Sequence, residues 1–64
     1  MNEDLAKLIA DLEIMMRAYS KIPKERREIA DIAISYRISQ VEKIDETVAT
    51  QYRSRYIELT GGYK

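Results

Sequence analysis

Apolar residues recur every three or four positions along nearly the whole chain, and the longest stripe they draw outruns what the rest of the chain is expected to cover. Leu5, Leu8, Ile9, Leu12, Met15, Met16 and Tyr19 share one face of a first helix. Ile14 and Ala10 fall outside that face. Asn2 is placed to cap it, with Glu3 and Asp4 against the positive end of the helix dipole, which predicts a short helix over about 2–19. The segment Ser20, Lys21, Ile22 and Pro23 breaks it, because proline disfavours helical geometry in the residue before it and suits the first turn of a new helix. So short a connection implies an antiparallel hairpin.

Beyond Pro23 neither glycine nor proline intervenes before Leu59, and the apolar period holds near 3.6. This predicts a long helix over about 23–59, roughly 55 Å at 1.5 Å per residue. Thr60, Gly61 and Gly62 form the stop signal. A competing reading breaks the rod at residues 44–46, where Asp45 caps a third helix.

The long segment carries two stripes. The first comprises Ile29, Ile32, Ala33 and Tyr36, and turns polar at Gln40, Lys43 and Thr47. The second, about a third of a turn away, runs through Ala30, Ile34, Ile38, Val41, Ile44, Val48, Tyr52, Tyr56 and Leu59. A first helix of about 18 residues reaches only to position 40 or so, where the first stripe ends. The second is then left without a partner over nearly 20 residues, an association surface on the order of 10 kcal/mol before entropy. The expected architecture is therefore all-α: an antiparallel helical hairpin that dimerises into a four-helix assembly, with self-association through Ile34, Ile38, Val41, Ile44, Val48, Tyr52 and Leu59.

Composition points the same way. A chain of 64 residues forms one domain, 1–64, with 60–64 expected to be a flexible tail, and so small a domain needs disulfides, metal or association as a staple. Without Cys or His, disulfides, thiolate sites and the usual transition-metal ligand are absent, so neither a metal nor a cofactor is expected. No secretory signal and no apolar run near 20 residues is seen, so a cytoplasmic protein without membrane contact is expected. Eleven basic and eleven acidic residues cancel, and they are interspersed without a block of either sign. That argues against unspecific polyanion binding.

Catalytic constellations are lacking. Asp11 with Glu13, and Asp45 with Glu46, lie too close in sequence to share a helix face, while Glu25 and Glu28 lie beside Arg26 and Arg27 at a helix start. The chain is not expected to be an enzyme. Tyr52, Arg53, Arg55 and Tyr56 combine the two residue types enriched at interaction hot spots, and are the expected partner-binding surface. A small inhibitor or adaptor that binds and modulates a second protein is the leading expectation. Residues 29–44 also echo a helix-turn-helix, with Ser39 and Gln40 opening a recognition helix. Arg37 replaces the turn glycine, and Ile44 comes one place late. On that alternative the chain is a nucleic-acid-binding regulator. A third alternative is a structural subunit of a larger assembly.

Overall fold

The structure is a computed structural model, and it describes residues 3–61. Helix α1 spans Glu3–Tyr19, a 3-10 turn spans Lys24–Arg26, helix α2 spans Arg27–Ile44 and helix α3 spans Glu46–Leu59. The described residues contain no strand. The fold is all-helical, with three α-helices where the sequence pattern suggests two. Asn2, the expected first cap, lies outside the described residues.

Acidic Glu3 and Asp4 occupy the first turn of α1 and basic Arg17 the last, each matching the sign of the helix dipole. The α1–α2 connection falls at the predicted place. Pro23 is extended (φ −56°, ψ 143°), and the Arg26 amide donates to its carbonyl over 2.8 Å to open the 3-10 turn. Arg27 seals the corner: its Nε donates to the Ile22 carbonyl at 2.8 Å, and its guanidinium lies 5.1 Å from the centre of the Tyr19 ring.

The helix expected over 23–59 is interrupted by a single residue. Asp45 is extended (φ −151°, ψ 101°); its amide donates to the Val41 carbonyl, closing α2, while its carboxylate accepts from the Val48 amide at 3.2 Å, opening α3. The competing reading of the sequence, with Asp45 as a cap, is the observed one. Aspartate mid-helix competes for backbone hydrogen bonds, so a break needs neither glycine nor proline. Folding back then covers an apolar face that a straight rod would leave wet.

Asp31 and Arg37 of α2 meet Tyr19 and Asp11 of α1, so positions advance along one helix as they recede along the other. These helices are antiparallel, as expected. Helix α3 returns alongside both: Tyr52 reaches Glu13 of α1, and Tyr56 reaches Asp31 of α2. Leu12, Met16 and Tyr19 from α1, Ile34, Ile38 and Val41 from α2, and Ala49 and Tyr52 from α3 are buried together as one core. Leu5, Leu8, Ile9, Met15, Ala30, Val48 and Tyr56 pack around it, half-buried.

This arrangement corrects the assignment of the two stripes. Ile34, Ile38, Val41 and Tyr52, expected to meet a second chain, are buried within one chain, and Val48 packs against the same core. Ile44, where α2 ends, and Leu59, where α3 ends, stay exposed. The carboxy-terminal stop falls where expected: Gly61 takes a left-handed φ of 89°, and its amide donates to the Glu58 carbonyl at 3.1 Å. Residues 62–64 of the expected tail lie outside the described residues.

Candidate interaction face

The four residues expected to bind a partner are engaged inside the chain. Tyr52 donates its hydroxyl to Glu13 at 2.9 Å, and Arg55 donates to the same carboxylate while its guanidinium sits 5.0 Å from the Tyr52 ring centre. Arg53 pairs with Glu42 at 3.3 Å. Tyr56 donates to Asp31, which also accepts from Tyr19 at 2.8 Å, and the two tyrosine rings meet edge to face with centroids 6.1 Å apart. Asp31 thus ties all three helices together.

The electrostatics follow from these contacts. Arg55, then the Tyr52 hydroxyl, hold the Glu13 carboxyl below the usual carboxylate range. Burial, and then a neighbouring carboxylate, push the phenols of Tyr19, Tyr52 and Tyr56 up. All three stay neutral hydrogen-bond donors around neutrality. Such bonds position the helices.

Residues 29–44, where the sequence echoes a helix-turn-helix, lie within one uninterrupted helix. Arg37, where the turn would fall, pairs with Asp11 at 3.1 Å. Among the described residues no cluster of three or more carboxylates is gathered as a metal site requires. None of their helices is long and apolar enough to cross a membrane.

What the fold leaves open is the opposite face of α2. Ile29 is 78% exposed, Ile32 64% and Tyr36 62%, all three within one stripe at spacings of three and four. Scattered exposed apolar residues are ordinary, and Ile14 on α1 is one; a stripe of three large ones on one helix face is not. The chain matches no known protein family, no characterised protein and no solved structure.

The sequence pattern contained this stripe but assigned it to the hairpin seam. One signal for the correct assignment was present: Ala49, a small residue that is fully buried in the core, follows four positions after Asp45, a residue able to cap its helix. Around the stripe the surface is mixed in charge. Lys43 near the end of α2 continues its spacing, Glu25 stands in the 3-10 turn just before α2 begins, both are exposed, and the described residues offer neither an ion-pair partner.

Proposed function

We propose that this protein is a non-enzymatic interaction module, a small helical bundle that docks another polypeptide on the outer face of α2 and acts by that contact, as an inhibitor or adaptor does. The observation that carries the reading is the stripe Ile29, Ile32 and Tyr36: the chain closes its own core and still presents three large apolar side chains in a row. Exposed apolar surface of this kind is a cost in water that a partner removes. Self-association belongs to the same reading, as a pair of three-helix units meeting through this face in place of the four-helix assembly. No observation favours nucleic acid over protein as the partner, because the arginine at the centre of the helix-turn-helix echo is paired within the chain.

The test is site-directed photocrosslinking. A photoreactive residue replacing Tyr36 should trap a polypeptide in extract of the native host, whereas the same residue replacing exposed Ser54 on α3 should not. Capture at neither position, or equally at both, removes α2 as the docking face.

A further inference from the structure

We infer that the occupant of the outer face of α2 is the same face of a second copy, packed antiparallel about a twofold axis that crosses the helix between Ile32 and Tyr36. The inference rests on the reading of that face as a docking surface and adds the partner and its register. It comes from the order of residues along the stripe. Ile29, Ile32, Tyr36, Ser39 and Lys43 follow one another on α2 at steps of three and four, the spacing of a helix–helix seam, Glu25 stands four positions before them in the 3-10 turn, and every one of the six is exposed.

The stripe is polar in a directional way. A carboxylate stands at its start, an ammonium group at its end, and Ile29, Ile32, Tyr36 and the small Ser39 lie between. When two such stripes run antiparallel, with the positions that alternate along a seam facing each other in layers, Ile32 faces the partner's Tyr36, Ile29 faces Ser39, and Glu25 faces Lys43. Each contact occurs twice. Parallel pairing sets Glu25 against Glu25 and Lys43 against Lys43, which like-charge repulsion disfavours. An unrelated partner would also need a basic group at one end and an acidic group at the other, whereas a second copy carries both at the right separation. The patch is small beside a standard protein interface, so the pairing is a reversible one in the micromolar range or weaker.

The experiment is sedimentation of the pure protein over a concentration series, with the helical circular dichroism of each variant as a check on folding. The wild-type chain should pass from monomer to dimer. Ile32→Asp should leave helicity unchanged and raise the dissociation constant roughly thirtyfold or more. Glu25→Lys and Lys43→Glu should each weaken the dimer several-fold, and an equal mixture of the two should recover it, because the mixed pair restores both ion pairs. Parallel pairing gives no loss for the single variants, since like charges already face each other there.

The chain has no cysteine, so single thiols report the register directly. A mixture of Ile32→Cys and Tyr36→Cys should oxidise mainly to the mixed disulfide. Preference for either homodisulfide, or a dimer that survives Ile32→Asp, overturns the proposal. So does a chain that stays monomeric at millimolar concentration. In that last case the photoreactive residue at position 36 separates the two failures: capture of a foreign polypeptide keeps the docking face and removes the second copy, while no capture removes both.

Discussion

Tyr52 donates its hydroxyl to Glu13 across 2.9 Å, joining positions 39 residues apart, and this bond holds the returning helix α3 against α1. Arg55 donates to the same carboxylate, so one acceptor carries both ties. Glu13→Gln should therefore lower the melting temperature, and so should Tyr52→Phe. The double variant should lose less than the two single losses added together, because each removes the same contact. Strict additivity in a double-mutant cycle would show that the bond does not couple the helices.

The same carboxylate makes stability depend on acid. Its folded pKa lies below the ordinary value of 4.5, so the unfolded chain binds its proton first as pH falls. The contribution is present above that value and is lost as pH falls through the folded pKa. Urea midpoints measured across this range should decline for the wild type and decline less steeply for Glu13→Gln. Identical slopes would remove Glu13 as a source of the acid sensitivity.

Much of this fold is legible in the chain, and the exception has a physical cause. Periodicity located α1, the corner at Pro23 and the stop at Gly61, because capping chemistry and proline geometry act locally. It also drew the first stripe, on α2, and the second, which runs along α2 and α3. What it does not contain is which neighbour covers which stripe. That depends on whether α3 continues outward or folds back. A single aspartate settles it, by closing one helix with its amide and opening the next with its carboxylate. Once α3 folds back, Tyr52, Arg53, Arg55 and Tyr56 are tied to residues of α1 and α2, with both arginines still exposed, and the stripe expected to be covered becomes the exposed one.

That aspartate is open to test. Asp45→Ala removes the acceptor for the Val48 amide, a loss of about 1 kcal/mol for an amino-terminal cap. In a domain of this size it should lower the melting temperature by roughly 4–8 °C. Asp45→Asn, which keeps a capping oxygen, should recover most of it. An alanine variant as stable as the wild type would show that the corner is held by core packing alone.

Alkali should act on the opposite side of neutrality, through the tyrosines. Tyr19, Tyr52 and Tyr56 have folded pKa values raised above the ordinary 10.0, by burial first and by their carboxylate acceptors second. The native state keeps these protons while the unfolded chain releases them. Their contribution is full below pH 10.0 and is lost as pH rises through the folded values. Tyr56→Phe removes one linked proton, so its stability should fall less steeply in alkali than that of the wild type. A fall of unchanged slope would place the Tyr56 hydroxyl outside the proton-linked set.

The two faces of α2 give the sharpest contrast. Ile34 is fully buried between α1 and α3, and truncating it to alanine leaves a cavity worth about 2–5 kcal/mol, a large share of what a domain this small possesses. Ile32, two positions along, points the other way and is 64% exposed. At concentrations well below the dissociation constant of the dimer, where mass action leaves little of it, Ile32→Ala should change stability by no more than about 0.5 kcal/mol. Thermal melts of the two variants should differ by tens of degrees or show Ile34→Ala already unfolded. Were the order reversed, with Ile32→Ala the damaging change, the stripe of Ile29, Ile32 and Tyr36 would be the core-facing one, and α2 would be turned half a revolution from the orientation that exposes its docking face.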